Sequence, residues 1–170
     1  MSTSSSEPDA FIMQGSREYK RATFALFCAG FATFALLYCV QPLLPQLAAY
    51  FSITAANSSL ALSVTTFSLA AGLLISGALS ESWGRKRVMV VALIGACTLG
   101  LSTAWVTNWH VLLVLRTLLG IMLSGLPALA MAYIVEEFDP SSLSVAMGTY
   151  ISGTALGGLL GRLVTGILSD

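Results

Sequence analysis

Charge is what this sequence has least of. Only 9% of its 170 residues are Asp, Glu, Lys or Arg, eight acids against eight bases, where a soluble domain carries roughly 25%. So few charges cannot cover a water-facing surface, which excludes an ordinary soluble globular domain. The net charge is zero, so no basic field exists to attract nucleic acid. Histidine occurs once and cysteine three times. Cys28, Cys39 and Cys97 all fall inside apolar runs. Cys28 and Cys39 would lie ~16 Å apart along one helix, beyond the ~4.4–6.8 Å between Cα atoms that a disulfide tolerates. All three are read as small apolar packing residues. No Ser/His or His/Asp set, phosphate-cradling glycine loop or metal-ligand cluster is present, so a catalytic group, a metal and a cofactor have no residues to stand on. The start lacks a cationic segment followed by an apolar one, which argues against a secretory signal. Residues 1–21, Ser-rich at first, are expected to be a disordered tail.

What the chain has in abundance is apolar length. It is 56% hydrophobic, with a mean hydropathy of +0.83. A bilayer core of about 30 Å needs about 20 apolar residues per helix, and five runs qualify: 22–44, 58–80, 88–106, 110–135 and 142–166. None contains a carboxylate. Backbone polar groups in lipid must be paired within the segment, so the fold class is an all-α membrane protein with five spans. Six of the cations, Arg17, Lys20, Arg21, Arg85, Lys86 and Arg87, fall before the first run or between the second and third, which is one side of the membrane. The opposite loops, around 46–57 and 107–109, have none. The positive-inside rule then makes the N-terminus cytoplasmic. Trp105 and Trp109 flank an outer loop, and His110 beside them is expected to be interfacial rather than a proton carrier. A repeat at an offset of 89 residues is also visible: 76–81 (SGALSE) returns as 165–170 (TGILSD), and Gly72 returns as Gly161. The copies end spans of opposite direction, as in an inverted three-plus-three repeat.

Between the second and third runs stands 77–87, GALSESWGRKR. Glycine turns beside a carboxylate and three consecutive cations belong at a membrane surface. The stretch resembles the loop between helices 2 and 3 of the major facilitator superfamily, G-x-L-[AS]-D-[RK]-x-G-[RK]-[RK]-[RK]. It matches at Gly77, Leu79, Ser80, Gly84, Arg85, Lys86 and Arg87, and departs at Glu81 and Ser82. Gly77 and Gly84 permit close backbone approach and a turn. Glu81 lies four residues before Arg85, close enough to pair. The cations can also meet anionic lipid headgroups, at about 1 kcal/mol each. The resemblance implies that this loop latches against the second half of a transporter.

Arg116 lies seven residues past Trp109, about 10 Å into the membrane. A central arginine costs at least ~2.5 kcal/mol, unless it snorkels outward. It resembles the R-x-x-x-G of the family's fourth helix, here Arg116 to Gly120, which the resemblance links to proton coupling or substrate. In the fifth run, Gly153, Gly157 and Gly161 share one face, a spacing that lets helices approach closely. They fit the antiporter pattern G-x-x-x-G-P-x-x-G-G, except that Gly158 replaces the proline and Arg162 the last glycine. Arg162 can also snorkel outward. In the first run, Pro42 and Pro45 free carbonyls that must find other partners, and Gln41 beside them is a candidate cavity-lining hydrogen-bonder.

Together these features imply five helices of the six-helix N-terminal bundle of a twelve-helix secondary transporter, similar to a group of bacterial inner-membrane transporters. The domain is read as 22–170, truncated. The implied function is proton-coupled efflux of a small organic molecule. The expected partners are the lipid bilayer, a small-molecule substrate and the missing second half. A five-helix chain is expected to be incomplete and inactive alone. It should self-associate through the Gly153–Gly161 row, left facing lipid. A non-transporting membrane interaction fragment is the rival reading, and a small membrane enzyme, using Glu136, Glu137 and Asp139, a weaker one.

Overall fold

The computed structural model describes residues 11–169. Its elements are α1 (Arg17–Tyr38), α2 (Leu44–Tyr50), α3 (Ala55–Trp83), α4 (Arg85–Ser102), a 3₁₀ turn (Thr103–Trp105), α5 (Trp109–Ser124), α6 (Pro127–Glu137), a second 3₁₀ turn (Pro140–Ser142) and α7 (Leu143–Ser169). They form five stretches long and apolar enough to cross a membrane: Arg17–Tyr38, Ala55–Trp83, Arg85–Trp105, Trp109–Glu137 and Pro140–Ser169. The chain is a multi-pass all-α membrane protein, and its exterior agrees: Leu74 is 84% exposed, Leu168 81% and Phe67 77%. In water such a surface would aggregate; in lipid it is solvated.

Local chemistry sets the ends, and several differ from expectation. The first helix begins at Arg17 instead of 22, because the Ser16 hydroxyl accepts the Tyr19 N–H and Glu18 occupies the first turn, both favourable at a helix N-terminus. The tail expected over 1–21 is therefore helical from Arg17. Ile12 is fixed as well: its N–H donates to the Glu137 carbonyl at 2.7 Å, and its carbonyl accepts the Asp139 N–H at 3.3 Å. The earlier part of that expectation, residues 1–10, lies outside the described residues. The first helix also stops early, at Tyr38. Proline cannot donate to the ladder, so Pro42 and Pro45 turn 39–43 into tight turns before α2. The fourth span, expected as one helix, is two. Pro127 cannot donate to Leu123, whose carbonyl accepts Leu126 N–H instead, at 3.2 Å. Thr54 and Asn108 cap α3 and α5 through their side-chain oxygens. Gly84, at φ 83°, ends α3 and starts α4 within a single residue.

Two helix pairs carry the packing. Gly153, Gly157 and Gly161 of α7 lie on Phe27, Phe31 and Ala35 of α1, with backbone against backbone. Gly72 of α3 lies on Ser124 of α5, and Gly120 of α5 on Thr65 and Ser68 of α3. The expected lipid-facing glycine row is thus corrected: α1 covers it inside the chain. Gly158 also turns toward α1, where a Cβ would meet the Tyr38 ring at 3.4 Å. The 89-residue offset recurs in these contacts. It carries Gly72 and Ala35 to Gly161 and Ser124, and Ser68 and Phe31 to Gly157 and Gly120. The contacts Gly161–Ala35 and Gly157–Phe31 therefore become Gly72–Ser124 and Ser68–Gly120, and all four occur. Buried hydroxyls at the tight interfaces close locally, as in Thr33 to the Ala29 carbonyl (2.7 Å) and Thr65 to the Ala61 carbonyl (2.8 Å), a back-bonding that lets small polar residues sit there; the Thr23, Tyr19 and Tyr150 hydroxyls have no partner among the described residues. The cysteines are free, and Cys28 and Cys97 face outward instead of packing inside, since small-residue interfaces already fill the core.

Candidate functional site

At the Trp109 end of the bundle, a polar layer gathers around the broken end of α1. Trp109 stacks near Phe51, with ring centroids 5.5 Å apart, and marks that end. Arg116 enters from α5 and is only 5% exposed, so it is buried rather than extended to the surface. Its Nη1 donates to the Leu36 carbonyl at 3.4 Å, and the Cys39 thiol donates to the same oxygen at 3.3 Å. The last carbonyls of a helix lack intrahelical partners, and the turn at 39–43 leaves this one open. The proline-rich ending thus supplies the acceptor that holds an intramembrane cation. Arg116 Nε has no partner among the described residues.

Arg162 approaches the same end of α1 from α7. Its Nε donates to Gln41 Oε1 at 2.6 Å, and its guanidinium carbon lies 4.1 Å from the centre of the Tyr38 ring, well within cation–π range. Two candidates that the sequence offered separately, Gln41 and Arg162, are therefore one unit. Leu36 and Tyr38 are two residues apart, about 200° around a helix, so the arginines meet α1 from different sides. Tyr38, Cys39 and the Leu36 carbonyl are members of the layer that sequence reasoning missed. An apolar or aromatic residue at a helix end carries no signal of its own, and only the paired prolines pointed here.

At the Gly84 end, the loop residues take a different arrangement from the one expected. Arg85 pairs with Glu136 of α6, not with Glu81. Glu81 is exposed and takes no hydrogen bond among the described residues. The reason is geometric: Gly84 reverses the chain so that Arg85 begins α4 pointing across the bundle to α6, while Glu81 stays on α3. The pair is partly exposed, 29% at Arg85 and 54% at Glu136, and such pairs contribute at most about 1 kcal/mol. Lys86 and Arg87 line a groove of about 770 Å³ together with Glu81, Trp83 and Glu137. Gly84 supplies the turn, whereas nothing lies within 4 Å of a Cβ at Gly77, so no close approach uses that glycine here. Leu79 is 39% exposed, and the buried Ser80 hydroxyl returns to the Gly77 carbonyl at 2.6 Å. Nearby, the Ser141 hydroxyl and N–H hold the Asp139 carboxyl below the usual carboxylate range. The structure adds Ile12 to this end and makes Glu136, named from the sequence only in the enzyme reading, the partner of Arg85. Neither pairing was legible, because each joins residues more than 50 apart. No cluster of metal-ligating side chains occurs among the described residues.

Set beside known proteins, residues 26–170 match the family model described as Major Facilitator Superfamily. The chain is 50% identical over 165 residues to "Inner membrane transport protein YnfM" of Escherichia coli (strain K12), covering 97% of this chain and 40% of that protein. It is 50% identical over 160 residues to "Uncharacterized MFS-type transporter YybF" of Bacillus subtilis (strain 168), covering 94% and 40%. It is 30% identical over 173 residues to "Multidrug resistance protein MdtG" of Rahnella sp. (strain Y9602), covering 99% and 41%. The chain spans about 40% of the length of the curated relatives it matches.

Proposed function

From a chain that belongs to the major facilitator superfamily, a family of transporters rather than enzymes, we propose a part in secondary active transport of a small organic molecule, by proton-coupled efflux. The observation that carries this reading is the polar layer around the end of α1. Arg116 and Arg162 hold two charges at membrane depth, and intramembrane charges mark substrate or ion pathways. In this reading Arg116, Gln41 and Arg162 contact substrate or the coupling proton. The loop residues Gly77, Leu79, Ser80, Glu81, Gly84, Arg85, Lys86 and Arg87 latch the inner side against the remainder of a full transporter. Gly153, Gly157, Gly158 and Gly161 seat α7 on α1. Residues 22–170 act as part of an N-terminal domain in a bacterial inner membrane, with the N-terminus in the cytoplasm. The similarity to the Rahnella multidrug resistance protein supports export. The proline replaced by Gly158 and the glycine replaced by Arg162 are departures that this reading must accommodate.

A chimera tests it. Residues 26–170 would replace the matching segment of the 50% identical Escherichia coli protein, and efflux of a panel of labelled organic solutes from preloaded cells would be followed with and without a protonophore. We expect export of at least one solute above the empty-vector rate, collapsed by the protonophore. A chimera inserted at normal abundance that exports nothing would overturn the proposal.

A further inference from the structure

The guanidinium of Arg162 is positioned but incompletely used. Gln41 takes its Nε–H and Tyr38 takes one face, while neither terminal nitrogen has a hydrogen-bond partner among the described residues and the side chain is exposed. It stands seven residues before the end of α7, about 10 Å inside it. Side chains on a helix lean toward its N-terminus, which for α7 is the Gly84 end, so Arg162 leans away from the near surface. The described carboxylates, Glu18, Glu81, Glu136, Glu137 and Asp139, all lie at that opposite end. Beside the guanidinium, Leu159, Leu163, Gly166 and Ile167 form a shallow depression of about 380 Å³.

We propose that Arg162, fixed by Gln41 and Tyr38 and bordered by this apolar depression, binds the carboxylate of a small organic acid whose apolar body lies along α7. The two free terminal nitrogens match a carboxylate in the bidentate, charge-assisted geometry that favours arginine over lysine. A monovalent acid neutralises the Arg162 charge, Arg116 meeting α1 from a different side. Holding Nε against Gln41 and one face of the guanidinium against the Tyr38 ring fixes the plane of the fork before the ligand arrives. This deepens the transporter reading and rests on it for an open face at this depth.

The test is equilibrium dialysis of radiolabelled benzoate against the 170-residue chain in lipid nanodiscs, with empty nanodiscs as background and benzamide as the neutral isostere. We expect saturable benzoate binding, at least tenfold weaker binding of benzamide, loss of benzoate binding in Arg162→Gln, a fall of at least fivefold in Arg162→Lys and Gln41→Ala, and no change in Lys20→Gln. Absence of saturable binding, equal binding of benzamide, or binding that survives Arg162→Gln would overturn the proposal; in those cases the guanidinium serves a protein carboxylate or none. The two readings fail separately. A chimera that exports neutral solutes without benzoate binding to the chain would retire the anion site alone. Benzoate binding with an inert chimera would retire the transport reading alone.

Discussion

Arg116 shows how one residue depends on a break elsewhere in the chain. Its Nη1 bond is made to a carbonyl that exists as a free acceptor because α1 stops before Pro42. Lysine at this position keeps the charge and loses the planar fork. We expect Arg116→Lys in the chimera to lower export about tenfold, the ~1.5 kcal/mol of one charge-assisted hydrogen bond, with membrane abundance within about twofold of the parent. Export equal to the parent's would mean that positive charge alone suffices. At the other end, Arg85 should be sensitive to Glu136→Gln and insensitive to Glu81→Gln when the chain's thermal unfolding is followed in detergent. The reverse order would contradict the observed pairing. Asp139 provides a pH test. Its folded carboxyl is held low by the Ser141 hydroxyl and then its N–H. The contribution of that turn is therefore complete above the ordinary, unfolded carboxylate pKa, and is lost as pH falls through the lower folded value. Ser141→Ala should move the Asp139 titration, read by carboxyl-carbon NMR, upward toward the ordinary range.

At the scale of elements, the α1–α7 seam is set by absent side chains. A Cβ at Gly157 would stand 2.7 Å from the Phe31 carbonyl carbon, and one at Gly161 2.8 Å from Ala35 Cα, against backbone that cannot step aside. At Gly148, on the same helix, nothing lies within 4 Å. We expect Gly157→Ala to destabilise the chain by about 1–3 kcal/mol through overpacking, and Gly148→Ala to stabilise it by up to about 1 kcal/mol through helix propensity. Both can be measured by denaturant unfolding in mixed micelles. Equal effects would mean that the seam is looser than described. The same seam explains what could be read in advance. Apolar length located all five spans, and four-residue glycine spacing located the face of α7. The partner of that face was not legible, because Phe27, Phe31 and Ala35 contribute backbone, which sequence does not distinguish. Nor was the break at Pro127 anticipated, since the apolar pattern runs through it unchanged. Glu136 as the partner of Arg85 required knowing that Gly84 throws α4 across the bundle. Gln41 and Arg162 were each visible as polar residues out of place, and only folding α7 onto α1 joined them.

For the whole molecule, the orientation rests on the asymmetry of six cations. With the three native cysteines replaced, single cysteines at Thr54 or Thr107 should react with an impermeant reagent added outside intact cells, and those at Lys86 or Ser141 should not. Labelling at Lys86 would invert the molecule. The covered glycine row also changes what a bulky substitution does: Gly157→Leu should unseat α7 from α1 and speed degradation, rather than dissolve an oligomer. The pairing of distant helices has a temporal side as well. Ribosomes add about 5–20 residues per second, and Phe27 must wait for Gly153, more than 120 residues later, before the α1–α7 seam can close. Ser68 meets Gly120 after about 50. The α3–α5 pair can therefore form while α7 is still inside the ribosome, and α1 must be sheltered by lipid or by the insertion machinery for several seconds longer. Ile12, held at the Glu137–Asp139 turn, closes between those two events: the beginning of the chain can be fastened to that turn before α7 is complete and α1 is seated on it.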